Sequence, residues 1–255
     1  MNAAPPLQQF GPAHFCAIIL TLALPIFSAI VFRRTKSVLL DRAIRLLLAA
    51  ILIGNYIGYV IYRWQHGYID WREMLPMQLC DWTMIAVVFA LLKENRERWL
   101  EVAYFWGIGG SLQAIFTPNL QFGFPDFRFF AFFLDHGAIV AGIIYLMLSR
   151  MFRPTLASVW RTLLWSEIYL VVALAIDQVT GVNYGFLLHK PEAASLLSLL
   201  SDWRSLYILQ MNLVAIFFFA LLYAPFAVFD LVQKKSRTKF TTDTKEGFEL
   251  RHPPL

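Results

Sequence analysis

Charge is scarce in this chain. Only 15% of its 255 residues are Asp, Glu, Lys or Arg, whereas 58% are hydrophobic and 16% aromatic, with a mean hydropathy of +0.57. Soluble domains are usually about one quarter charged, so this chain has more apolar surface than one soluble core of its size can hide. The same figures exclude intrinsic disorder. Cysteine is almost missing: with only Cys16 and Cys80, at most one bridge can form and a disulfide scaffold is excluded. G-x-S-x-G, H-E-x-x-H, C-x-x-C and G-x-x-x-x-G-K are all absent, so nothing points to the familiar serine hydrolases, zincins, redox pairs or P-loops. No metal and no cofactor is expected.

What the chain does have is long apolar runs. A bilayer core about 30 Å thick needs roughly 20 mainly apolar residues at a rise of 1.5 Å. That ruler gives seven runs, at His14–Phe32, Ile44–Tyr62, Leu75–Leu92, Leu100–Phe116, Phe127–Leu148, Trp160–Val179 and Leu206–Leu231. They are continuous and not alternating, which predicts an all-α polytopic bundle and not a barrel. The fourth run is short and carries Gly107, Gly109 and Gly110. No Lys or Arg precedes Arg33, so the first run lacks the basic region of a cleavable signal and is expected to remain as a spanning helix. Small residues at Gly54/Gly58, Gly107/Ser111 and Ala138/Gly142 suit close helix contacts.

If the N-terminus lies outside, 17 of the 22 Lys and Arg fall in cytoplasmic segments and 5 (Arg63, Arg72, Arg128, Lys190 and Arg204) in external ones. This is the positive-inside bias. The formal charge of +5 therefore reports topology, and no nucleic-acid partner is expected. Residues 1–232 read as one transmembrane domain and 233–255 as a basic, disordered cytoplasmic tail. The expected setting is the inner cell membrane, with membrane lipid as partner; the sequence does not fix an oligomeric state. No lysine lies within any run, which excludes a retinal Schiff base despite the seven-span topology.

With that orientation the intramembrane polar side chains fall mainly in the outer half, and the inner half reads as mostly Leu, Ile, Val and Phe. Ionisable groups are expensive in lipid, so their clustering predicts an outward-facing polar cavity. Its expected lining is Gln78, Asn55, Gln113 and Gln210, with Asn183 and Tyr184 at the mouth as substrate-binding residues. Taken singly, Asn55, Gln113 and Gln210 equally suit hydrogen bonding between helices. Asn183 equally suits a turn.

Cys80 and His136 carry the chemistry in this reading. Pro76 suits a first helical turn, which places Cys80 about one turn further, near the positive end of the helix dipole. Helical rise puts His136 at a comparable depth, so the two could pair as nucleophile and general base. Asp81 or Asp177 would orient the imidazole, whereas Asp135 is expected to point about 100° away from its neighbour. The alternatives are a small buried hydrophobe at Cys80, an interhelical hydrogen bond at His136, or a Cys16–Cys80 disulfide.

The block Leu75-Pro-Met-Gln-Leu-Cys-Asp-Trp82 resembles the YwaF-like integral membrane proteins, many of them bacterial. Further blocks are Tyr104-Phe-Trp-Gly107, Ser111-Leu-Gln113 with Thr117-Pro118, Phe132-Phe-Leu-Asp-His-Gly137, and Gly181-Val-Asn-Tyr-Gly-Phe-Leu187 with Lys190-Pro191. An animal branch related to these proteins is described as acyltransferases that move fatty acyl chains onto ether phospholipids with a cysteine and a histidine. The resemblance thus implies thiol-dependent acyl transfer or hydrolysis on phospholipid, with Cys80 and His136 in those roles. Two positions depart from the pattern: Gln78 stands where many relatives carry histidine, and Met77 follows the proline where the animal branch has its cysteine. The alternative function is a non-catalytic transporter or sensor of a small solute that uses the same cavity.

Overall fold

The computed structural model describes residues 5–94, 96–191 and 196–249, with side chains to residue 233. It is helical throughout: α1 (Pro12–Thr35), α2 (Val38–Gln65), α3 (Leu79–Leu92), α4 (Glu97–Trp106), α5 (Leu112–Phe116), α6 (Phe127–Arg150), α7 (Leu156–Thr180) and α8 (Arg204–Glu249). A π-helical turn, Gly107–Ser111, joins α4 to α5. Among the described residues the extended pairing is limited to a single bridge between Pro6 and Phe122.

Local signals explain the helix ends. Ser37 caps α2 by accepting the Leu40 N–H, Asp126 caps α6 by accepting the Arg128 N–H, and Thr155 forms a reciprocal capping box with Ser158 at the start of α7. Gly181 ends α7 at φ +74°, a left-handed position that glycine reaches without a Cβ clash.

Five helices, α1, α2, α6, α7 and the Arg204–Gln233 part of α8, are long and apolar enough to cross a membrane. The chain is therefore a multi-pass membrane protein. The third and fourth runs depart from the sequence expectation. α3 has only 14 residues because the chain upstream of Leu79 is irregular, and the fourth run is divided at its glycines by the π-turn. In α8, helical geometry continues past residue 233 to Glu249, into the stretch read from sequence as a disordered tail. Residues 250–255 lie outside the described residues.

α6 is the centre of the bundle. Of its most apolar window 61% is buried, against 22% or less in the other four long helices. It packs along α1 and α2, while α4, buried from Leu100 to Trp106, fills the space between α3 and α7. Gly107 and Gly142 bring the π-turn and α3 close to α6: a Cβ on Gly107 would run into the Ile143 side chain, and one on Gly142 would meet Val87 at 2.8 Å. Gly54 and Gly58 face open space and make none of the expected helix contact.

α1, α3, α6 and α8 begin, and α2, α5 and α7 finish, at one end of the bundle, which carries Cys80. The opposite end is not the greasy half that the sequence suggests. Asp41 and Glu101 are buried there, 3% and 7% exposed. Arg161 pairs with Glu101, and Arg45 and Arg150 both pair with Asp41.

Candidate active site at the start of α3

The irregular segment 70–78 that leads into α3 is held by tyrosine hydroxyls from three other elements. Tyr184 donates to the Arg72 carbonyl, Tyr169 on α7 donates to the Met77 carbonyl at 3.1 Å, and Tyr56 on α2 reaches the Met74 carbonyl at 3.5 Å. Asp81 closes the helix start, its Oδ2 accepting the Gln78 N–H at 2.9 Å. Gln78 Oε1 accepts the Gly185 N–H at 3.1 Å, which ties the loop after α7 to the same turn. Each contact gives a partner to a backbone group of this irregular segment or of the loop after α7.

Pro76 thus lies before α3 and not within its first turn. Cys80 is the second residue of the helix, closer to the end than the sequence suggests. The N–H groups of Leu79 and Cys80 open the helix without intrahelical partners, whereas those of Asp81 and Trp82 donate to the Gln78 carbonyl.

His136 on α6 faces this turn, with its imidazole close enough to the Cys80 thiol for the two to interact. Its Nδ1 lies 3.0 Å from the Phe132 carbonyl oxygen, and the ring stacks on Phe132 at 4.3 Å between centroids. A carbonyl only accepts, so Nδ1 carries the proton in that contact, and in the neutral imidazole Nε2 keeps its lone pair. The imidazole is thereby fixed in orientation and tautomer by its own helix.

Two carboxylates stand near it. Asp135 Oδ2 is 3.7 Å from His136 Nδ1, so the side chain reaches back across the 100° that separates neighbours on a helix. The expectation that Asp135 points away is corrected. Asp81 is close enough to act electrostatically on both Asp135 and His136.

Asp177 does not join them. Buried at 1% exposure on α7, it accepts the Tyr184 N–H at 2.9 Å through Oδ1, and its Oδ2 has no hydrogen-bond partner. It fixes the loop that supplies Tyr184 and Gly185; orienting His136 is not among its contacts.

Sequence reasoning missed Tyr169. Its hydroxyl also contacts the Leu79 backbone, and its ring packs edge-on against Trp82 at 5.4 Å. Gly185, at φ +59°, approaches so closely that a Cβ there would lie 2.6 Å from Tyr169 Oη. The available signal was the Asn-Tyr-Gly-Phe stretch, in which a glycine is placed to admit another side chain.

The family model of TMEM164 matches residues 9–223. The chain belongs to the TMEM164 family. That stretch takes in α1 through most of the apolar part of α8, and with them Cys80, His136, Asp81, Asp135, Asp177, Tyr169 and Tyr184. No curated protein and no solved structure matches the chain.

The remaining predicted site residues of this TMEM164-family chain are spread more widely. Asn55 Nδ2 donates to the Ala131 carbonyl at 2.9 Å, a bond between α2 and α6. Gln113 is exposed on α5. Gln210 Oε1 accepts the Ser201 N–H at 2.7 Å and so holds the loop before α8. Asn183 is used within its own turn: its Oδ1 accepts the Leu188 N–H at 2.7 Å, and its Nδ2 donates to the His189 carbonyl at 2.8 Å. Tyr184, 1% exposed, is a lock on the Arg72 carbonyl and not a group at an open mouth. Both cysteines are free; Cys16 is exposed on α1. Among the described residues no cluster of His, Cys, Asp and Glu is placed to hold a metal.

Proposed function

We propose that this TMEM164-family protein transfers fatty acyl groups between membrane lipids through Cys80. The juxtaposition of the Cys80 thiol and the His136 imidazole carries the reading. A cysteine is a competent nucleophile once a base takes its proton, and the base must lie within hydrogen-bonding reach with a group to orient it. His136 has both: the thiol on one side, and the Phe132 carbonyl with Asp135 on the other.

In this reading His136 Nε2 takes the thiol proton as Sγ attacks the carbonyl carbon of an acyl ester. The ester oxygen leaves with that proton as an alcohol, and the acyl group remains on sulfur as a thioester. A second alcohol then attacks the thioester, giving its proton to His136, and the thiol is restored. The negative oxygen of each tetrahedral intermediate lies beside the first-turn N–H groups of α3, where the helix dipole favours it. Phospholipid is the proposed substrate class because the pair sits at one end of spanning helices, where lipid ester carbonyls are found. The distribution of basic residues supports an outward orientation of that end.

The test uses purified protein in vesicles that contain a phospholipid with a labelled acyl chain and an unlabelled lysophospholipid. Label moving to the lysophospholipid, abolished in both Cys80→Ala and His136→Ala, is the expected result. Transfer that is equal in both variants and the wild-type protein overturns the reading and favours a non-catalytic role in solute binding.

A further inference from the structure

At the end of the bundle opposite Cys80, two guanidinium groups share one carboxylate, and a third, that of Arg96, lies within electrostatic range of them. Arg45 Nε lies 3.0 Å from Asp41 Oδ2, Arg150 pairs with the same oxygen, and Tyr145 donates to Asp41 Oδ1 at 2.9 Å. Both oxygens of Asp41 are therefore engaged. Arg96, the residue before α4, has a buried Nη1 with no hydrogen-bond partner, and its Nε reaches only the Glu94 carbonyl at 3.5 Å. Asp41 offsets one of these positive charges, and the Glu94 side chain is exposed. Burial, followed by the nearby charges of Arg45 and Arg150, holds the Arg96 guanidinium below its ordinary range.

A buried guanidinium N–H with no protein acceptor, in the field of two further cations, favours an anion with several acceptor oxygens. All three arginines lie within two turns of helix ends, the level at which lipid phosphates sit, and the cluster is open on the side of Arg150, whose side chain is 39% exposed. Planar guanidinium forks match phosphate oxygens two at a time. We infer that Arg45, Arg96 and Arg150 form a phosphate-binding site at this end of the bundle, independent of the Cys80 chemistry. The phosphate belongs either to an anionic lipid headgroup or to a free phosphate compound.

The test follows the melting temperature of the purified full-length protein in an uncharged detergent. One titration uses short-chain phosphatidylglycerol and the other inorganic phosphate, for wild type and Arg96→Gln. A saturable rise in wild type is expected, with apparent affinity about tenfold or more weaker in Arg96→Gln, because a charge-assisted hydrogen bond is lost. A response to the lipid alone assigns a headgroup, and a response to both assigns the phosphate itself. Because Arg96 bonds to no acidic side chain, the unliganded variant should melt no lower than wild type. Should Arg96→Gln fail to fold, Arg96→Lys and the salt dependence of wild-type binding replace it: binding must weaken in both. The inference is overturned if neither probe shifts wild type, if Arg96→Gln responds as wild type does, or if wild-type binding is insensitive to salt.

Discussion

The two ends of the bundle both bury ionisable side chains, and they pair them differently. At one end Asp41 and Glu101 face arginines, in contacts between helices far apart in sequence: α2 with α6, and α4 with α7. At the Cys80 end, Asp81, Asp135 and Asp177 have no arginine or lysine within salt-bridge distance among the described residues. Their partners are backbone N–H groups and one histidine. Arginine pairing produces rigid supports. Carboxylates beside a histidine and a thiol suit the proton transfers that the proposed acyl transfer requires. One end holds the bundle together, and the other carries the proposed chemistry.

This comparison can be broken at either end. The largest effect is expected from His136→Ala, which should lower acyl transfer by about 10²–10⁴-fold, the usual contribution of a positioned general base. Its melting temperature should stay near wild type, since its neighbours are a thiol and its own helix. Asp41→Asn should do the reverse. By leaving Arg45 and Arg150 without their shared carboxylate it should cost about 3 kcal/mol of stability, read from denaturant or thermal unfolding in detergent. Transfer per folded molecule should be unchanged, and a selective loss of transfer would erase the distinction between the ends.

Smaller changes sharpen the account of how Cys80 is positioned. Tyr169→Phe keeps the ring against Trp82 but removes the hydroxyl from the Met77 carbonyl. A stability loss of about 1 kcal/mol is expected. The maximal transfer rate should also fall while the lipid concentration at half-maximal rate stays put, because the α3 start shifts under the thiol. Gly185→Ala should cost about 1–2 kcal/mol, from the left-handed backbone and the contact with Tyr169 Oη. Part of that loss should be recovered in the double variant with Tyr169→Phe, and strict additivity in the double-mutant cycle would show that the two residues do not press on each other.

The apolar runs were legible because lipid demands them, and the Cys80 end was legible because Gln78, Cys80, Asp81 and His136 fall at similar depth on adjacent runs. The supports were not. Asp41 lies three residues before the run that begins at Ile44, so hydropathy assigned it to a loop, whereas α2 begins at Val38 and makes it an intrahelical partner of Arg45. Glu101 and Arg161 are 60 residues apart, and their pairing depends on α4 and α7 being neighbours. Asp135 was dismissed on helical angle alone, although a carboxylate two bonds from the backbone can swing towards the next residue. Tyr56 and Tyr169 did not stand out, because nothing in a sequence shows which carbonyls an irregular segment leaves unpaired.

Covalent trapping tests the central claim most directly. Purified protein is incubated with a phospholipid that carries an alkyne-tagged acyl chain, quenched in acid and digested for mass spectrometry. The account predicts a hydroxylamine-labile acyl group on the peptide containing Cys80 and none on the one containing Cys16, with the modification greatly reduced in His136→Ala. Lipid turnover with Cys80 unmodified, or acylation that does not depend on His136, would contradict it.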